Sequence, residues 1–103
     1  MDNQKLFELY DRNLNCHGIL SLLWYFCVSS RLLNILVERA YRGKPNKKLL
    51  ISKMAEVSVL IEQVAYFYGW EEYQKQRLAR IDKLEQIVEY ETKFRDYYID
   101  IDS

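Results

Sequence analysis

Apolar residues in the middle of the chain recur at alternating steps of four and three. Over residues 49–68 this spacing places one continuous stripe along a single side of an α-helix. The stripe consists of Leu50, Met54, Val57, Ile61, Val64 and Tyr68. Leu49, Leu60 and Phe67 make it wider than a coiled-coil seam. We therefore expect a central helix over residues 47–68 that packs against more than one neighbour.

The N-terminal part of the chain predicts helix on both sides of a break. A first amphipathic segment covers residues 4–15, and a longer one covers residues 19–42. Between them, Asn13–Gly18 collects turn-forming residues, and Gly18 suits a C-cap or a hinge. The pattern leaves open whether residues 4–42 form one bent helix or two. Because residues 19–28 are apolar on nearly all sides, we expect a second copy of the chain to help cover them.

Short breaks separate the later helices. Gly43 suits a C-cap, Pro45 stops a helix and Asn46 suits an N-cap, so the helices on either side of this turn should be antiparallel. Gly69 ends the central helix, and a last helix is expected over residues 71–95 with Leu78, Ile81, Leu84, Val88 and Phe94 on its apolar side. The prediction is an all-α antiparallel bundle of three to four helices, completed by dimerisation.

Composition and charge limit the classes of protein to which the chain can belong. A chain of 103 residues predicts a single domain, residues 1–103. Lys plus Arg and Asp plus Glu number 15 each, so net charge does not indicate a nucleic-acid partner. The polar, acidic start does not resemble a signal peptide, and the apolar block is too short for a membrane span, which together predict a cytoplasmic protein. Cys16 and Cys27 are expected to be reduced and mostly buried.

Catalytic motifs are missing from the sequence. It contains no Gly-rich phosphate loop and no Ser/His/acid or Cys/His arrangement, and its single imidazole, His17, suits a capping or surface role. We therefore assign no catalytic residue and no cofactor.

A partial family resemblance is carried by Arg42-Gly43-Lys44 before the central helix and Leu60-Ile61-Glu62-Gln63-Val64 within it, followed by Tyr66-Phe67-Tyr68-Gly69 and then by Leu84-Glu85 in the charged last helix. Together they resemble small MazG-like nucleotide pyrophosphohydrolases of bacteria and phages. In that family, Glu-Glu-x-x-Glu and Glu-x-x-Asp motifs on consecutive helices hold magnesium against a triphosphate. Carboxylates at helical spacing suit a hard divalent ion.

The sequence departs from the MazG-like pattern at the metal motifs. The first motif falls on residues 28–32, which contain no carboxylate, and in the second Lys53 stands where a Glu is expected and only Glu56 keeps an acid. Lys53 and Glu56 are one turn apart and can pair. The resemblance thus supports the helical scaffold and argues against the activity. If hydrolysis were retained, magnesium would rest on Glu56, Glu62 and Glu38.

Basic and aromatic residues near the turn are the remaining binding candidates. We select Arg42, Lys44, Lys47, Lys48, Lys53 and Trp70 as a surface for an acidic or phosphate-bearing partner. The favoured hypothesis is a non-enzymatic helical interaction protein that forms a homodimer and binds a protein partner. The phage setting of the family suggests an inhibitor of a host factor, such as a component of CRISPR defence. The alternatives are a divergent metal-dependent pyrophosphohydrolase and a protein that binds nucleotide without hydrolysis.

Overall fold

The computed structural model describes the backbone of residues 3–102 and the side chains of residues 3–95. It contains three helices, α1 (Asn3–Tyr41), α2 (Lys47–Tyr68) and α3 (Trp70–Asp102). No strand occurs within the described backbone, and the prediction of an all-α fold is confirmed. The chain divides into two compact units, Met1–Trp70 and Glu71–Ser103. The single-domain and dimer assignments stay predictions.

Helix α1 is interrupted by a kink at Gly18. The backbone there has φ 77° and ψ 163°, far from helical values and in a region that essentially only glycine adopts. The helix therefore changes direction at this residue. The two predicted segments, 4–15 and 19–42, thus correspond to the two parts of α1 on either side of this kink.

The turn between α1 and α2 is fixed by capping groups. The N–H of Lys44 donates to the Arg39 carbonyl and the N–H of Gly43 to the Ala40 carbonyl, both at 3.0 Å, with φ 84° at Gly43. This pair of bonds is a Schellman motif. The Asn46 side chain then accepts from the N–H of Leu49 and caps α2. The predicted caps at Gly43 and Asn46 are confirmed, and α2 covers the predicted interval.

The core between α1 and α2 is small and takes in only Val57 and Leu60 of the apolar side chains predicted along α2. Its buried apolar side chains are Tyr10, Leu22, Leu36, Val57 and Leu60, together with the polar Ser29 and Gln63. At 3.6 residues per turn, the centre of Val57, Leu60 and Gln63 lies about 80° from the centre of the stripe. Of the stripe residues, Val57 is buried, whereas Met54 and Tyr68 are 53% and 66% exposed.

Both cysteines are exposed, which contradicts the expectation of buried thiols. Cys27 lies two positions before buried Ser29 and hence about 160° around the helix from it. Cys16 lies just before the bend on an exposed turn. Free cysteine is commonly buried, but residue type alone did not indicate which side of α1 would meet α2.

The first half of α1 is held on the end of α2 by aromatic rings. Phe7 stacks on Tyr66 with ring centroids 4.9 Å apart and meets Trp70 edge-on at 5.1 Å. Tyr10 lies 5.9 Å from Tyr66, whose hydroxyl donates to Asp11 at 2.8 Å. Ring pairs of this geometry add to the stabilisation from burial.

Helix α3 differs in extent from the predicted last helix. It begins one residue earlier and ends seven residues later than the predicted interval 71–95, with Glu71 and Glu72 in its first turn as the helix dipole favours. Leu78, Ile81, Leu84, Val88 and Phe94 are all exposed. The side chains from Asp96 onward lie outside the described part of the structure.

Among the described residues, one helix is long and apolar enough to cross a membrane. Helix α1 contains an apolar window of 18 residues, but the core helix of a soluble protein and a signal sequence meet the same criteria of length and composition. The expectation of a cytoplasmic protein without a membrane partner stays a prediction.

Candidate functional site

Among the described carboxylates between α1 and α2, Glu56 accepts the most side-chain hydrogen bonds. The Lys53 ammonium donates to its Oε2 at 2.7 Å, and the hydroxyls of Tyr25 and Ser29 donate to its Oε1 at 2.5 and 3.2 Å. The hydrogen bond from Lys53, followed by that from Tyr25, lowers the pKa of Glu56. The hydrogen bond to Glu56 raises the pKa of the Tyr25 hydroxyl, because ionisation of Tyr25 would place a second negative charge beside the Glu56 carboxylate.

A second polar group joins the first half of α1 to α2. The buried hydroxyl of Tyr10 donates to Glu62 Oε2 at 2.8 Å, and Asn13 Nδ2 donates to Gln63 Oε1 at 2.6 Å. Burial and the bond to Glu62 raise the pKa of Tyr10 well above its usual value. These side chains are separated by 50 residues or more in sequence, so they tie the bent end of α1 to α2.

The three carboxylates considered as magnesium ligands are held separately. Glu56 binds Lys53, and Glu62 accepts from Tyr10. Glu38 pairs with Arg42 across 2.7 Å at the exposed end of α1. Among the described residues, no three His, Cys, Asp or Glu side chains are placed to hold one metal ion together. The structure thus does not bring Glu38, Glu56 and Glu62 to one site.

The predicted binding residues also fall at different places. Arg42, Lys44, Lys47 and Lys48 are exposed around the turn between α1 and α2, although Arg42 is paired with Glu38. Lys53 is mostly covered and directed at Glu56, so it does not belong to this exposed group. Trp70 lies in the aromatic cluster with Phe7. We call Lys44, Lys47 and Lys48 the basic turn.

A cavity of about 370 Å³ opens between α1 and α2 beside the bend at Gly18. Leu22 and Leu60 form its apolar part. Its polar lining is provided by Asn13, His17, Ser21, Tyr25 and Gln63. Sequence reasoning placed His17 in a capping or surface role and missed the other four residues of this lining. The turn-forming residues before Gly18 signalled the bend, but nothing local indicated that Asn13 meets a glutamine 50 positions later.

No known family model, curated protein or solved structure matches this chain. The MazG-like resemblance therefore stays a prediction that rests on the residues quoted for it.

Proposed function

We propose that this chain is a non-enzymatic helical interaction protein that forms a homodimer and binds a protein partner. The observation that carries the proposal is an apolar surface on one side of the α1–α2 hairpin. We call this surface the outer apolar face. It consists of Ile19, Leu23, Phe26, Leu33 and Val37 from α1 and Leu50, Met54, Val57, Ile61 and Val64 from α2. At 100° per residue in two antiparallel helices, these ten side chains lie on the same side of the hairpin.

The outer apolar face is only partly covered. Val37 and Met54 are exposed, and of the remaining eight residues only Val57 is buried. A contiguous group of apolar side chains that stay partly exposed suits an interface. Two helical hairpins that pack through such faces form a four-helix bundle, the usual way for an α-hairpin to complete its core. A second copy of this chain supplies a matching face.

The bonding of the carboxylates favours interaction over hydrolysis. A divalent cation needs several carboxylate oxygens with free lone pairs. Glu56 is already neutralised by the Lys53 ammonium and takes two hydroxyl donors, so binding a cation there requires displacement of that ammonium. This arrangement supports a scaffold that has kept the helices of MazG-like enzymes without their chemistry.

Sedimentation of matched variants tests the dimer. Met54→Glu places a charge on the outer apolar face, whereas Val59→Glu places the same charge at a similarly exposed position of α2 outside it. We expect the wild-type protein and Val59→Glu to sediment as dimers at micromolar concentration. Met54→Glu should weaken the dimer at least about tenfold, because a carboxylate would be desolvated in the interface. A wild-type monomer at high micromolar concentration, or equal effects of the two variants, would contradict the proposal.

Charge reversal tests whether the basic turn contacts the protein partner. We expect the paired variant Lys47→Glu, Lys48→Glu to lose most of the binding to a partner recovered by affinity capture, since an acidic surface would then meet like charge. The paired variant Lys75→Glu, Lys83→Glu on α3 makes the same change in net charge as a control. Unchanged affinity in the first variant would remove the basic turn from the interface. Capture of a component of host defence would support the hypothesis that the chain is a phage-encoded inhibitor of a host factor.

Two alternatives make a different prediction in a thermal-shift titration with nucleoside triphosphates. A ligand that binds only the folded state raises the melting temperature once its concentration passes the dissociation constant. Stabilisation that needs both nucleotide and magnesium would favour a pyrophosphohydrolase using Glu56, Glu62 and Glu38. Stabilisation by nucleotide alone would favour binding without hydrolysis at Arg42, Lys44 and Lys53. We expect no stabilisation in either case.

A further inference from the structure

The cavity beside Gly18 has the features of a small-molecule site. It encloses about 370 Å³, the space of about a dozen water molecules, which suits one small ring compound. It combines an apolar part, Leu22 and Leu60, with a few polar side chains, the usual make-up of a ligand pocket. It lies on the side of the hairpin that carries Tyr25, Glu56 and Gln63, away from the outer apolar face. Its occupation is therefore independent of the proposed dimer.

Two side-chain amides define the hydrogen-bonding character of the cavity. Asn13 Nδ2 donates to Gln63 Oε1, and within the described chain the second polar atom of each amide has no protein partner. The pair therefore presents one free carbonyl oxygen and one free amino group. If the oxygen and nitrogen positions of both amides are exchanged, one carbonyl oxygen and one amino group still remain free. Gln63 is only 8% exposed and lines the cavity, and its free amino group is not sealed from solvent.

The charge of the lining favours a neutral ligand. The polar side chains around the cavity are amides, a hydroxyl, a phenol and an imidazole, and none is a carboxylate, lysine or arginine. The nearest carboxylate bonded to the lining is Glu56, which accepts from Tyr25 and is paired with Lys53. A charged ligand would thus lose hydration without gaining an opposite charge.

We propose that this cavity binds a small, neutral, planar molecule with an N–H donor and a carbonyl acceptor side by side on one edge. The carbonyl oxygen of the ligand accepts from the free amino group of the amide pair, and its N–H donates to the free amide oxygen. The flat face of the ligand lies against Leu22 and Leu60. This cis-amide edge is shared by ring lactams and by primary carboxamides.

The two sources of a cis-amide edge are distinguished with small probes and matched controls. 2-Pyridone is a ring lactam, and N-methyl-2-pyridone lacks its N–H. Benzamide is a primary carboxamide, and N-methylbenzamide keeps an N–H only on the side opposite the carbonyl. Each probe is titrated into the ¹⁵N-labelled protein while the side-chain amide signals of Asn13 and Gln63 are followed. Loss of one hydrogen bond weakens binding about threefold to tenfold.

We expect saturable shifts of both amide signals with at least one parent probe, and binding about threefold to tenfold weaker with its methylated control. If 2-pyridone alone passes this test, the source is a ring lactam, and if benzamide alone passes, it is a primary carboxamide. Gln63→Met, which keeps the length of the side chain and removes the amide, should weaken binding by a similar factor. Gln76→Met on α3 should leave it unchanged.

Several outcomes would overturn the assignment. Equal binding of the parent and methylated probes would show that the cavity selects only apolar surface. The absence of saturable shifts at Asn13 and Gln63 with both parent probes would show that it is not a site for this edge. A Gln63→Met protein that stays folded by circular dichroism and binds as tightly as the wild type would exclude the amide pair. If that variant does not fold, Asn13→Ala, which removes the other amide from a less buried position, gives the same comparison.

Discussion

Substitution of Gly18 by alanine tests whether the bend in α1 holds the hairpin together. The backbone of Gly18 lies at φ 77° and ψ 163°, where a residue with a β-carbon costs about 1–3 kcal/mol. An added Cβ meets no atom within 4 Å, so this cost comes from the backbone and not from crowding. If the bend is retained, Gly18→Ala should therefore lower the free energy of unfolding by about 1–3 kcal/mol.

The helix can instead straighten through the new alanine. Alanine gains about 1 kcal/mol over glycine in a helix interior. A straight α1, however, would carry residues 3–17 away from α2 and remove the bonds from Tyr10 to Glu62 and from Asn13 to Gln63. The ring contacts of Phe7 would be lost as well. Since each hydrogen bond contributes about 1 kcal/mol, straightening should also lower stability.

Denaturant unfolding at one fixed protein concentration measures the change, because a dimer makes stability depend on concentration. The side-chain amide signals of Asn13 and Gln63 report whether the bend persists. Gly43→Ala serves as the control: its φ of 84° also disfavours alanine, at about 1 kcal/mol, but it lies at the far end of α1. Unfolding of Gly18→Ala at wild-type denaturant concentration, with both amide signals unchanged, would refute the role assigned to the bend.

Two further changes probe the bonds between α1 and α2. Tyr10→Phe removes a buried hydroxyl bonded to a carboxylate and should lower the free energy of unfolding, measured with denaturant, by about 1–2 kcal/mol. Tyr66→Phe removes an exposed hydrogen bond and should cause a smaller loss. Equal losses in the two variants would contradict the importance of burial. For the ion pair, a double-mutant cycle of Lys53→Met and Glu56→Gln should give a coupling of about 0.5–1 kcal/mol at neutral pH, and additive losses would show that the pair contributes nothing. The pKa of Glu56 in the folded protein is lowered from 4.5, so the ionised carboxylate stabilises the fold above pH 4.5. This stabilisation is lost as the pH falls through the folded pKa. The stability difference between the wild type and Glu56→Gln should therefore shrink with acidification.

Residues close together in sequence were sufficient to predict the helices and most of their ends. The four-and-three spacing in residues 49–68 predicted the extent of α2, since helical periodicity is a local property. Gly43 and Asn46 predicted the turn, because capping bonds span only a few residues. Gly18 predicted a break in α1 for the same reason. The extent of α3 was predicted less closely, since no strong stop signal follows residue 95.

The side of each helix that meets its neighbour depends on tertiary packing. Helix α2 turns Val57, Leu60 and Gln63 toward α1, in a direction centred about 80° from the six-residue apolar stripe. On the same helix, Glu56, Glu62 and Gln63 find hydroxyl, ammonium and amide partners. These partners lie up to 52 residues away in sequence, apart from Lys53. Periodicity within one helix carries no information about such pairings. The cavity beside Gly18 and the partly covered outer apolar face therefore emerged only when α1 and α2 were placed together.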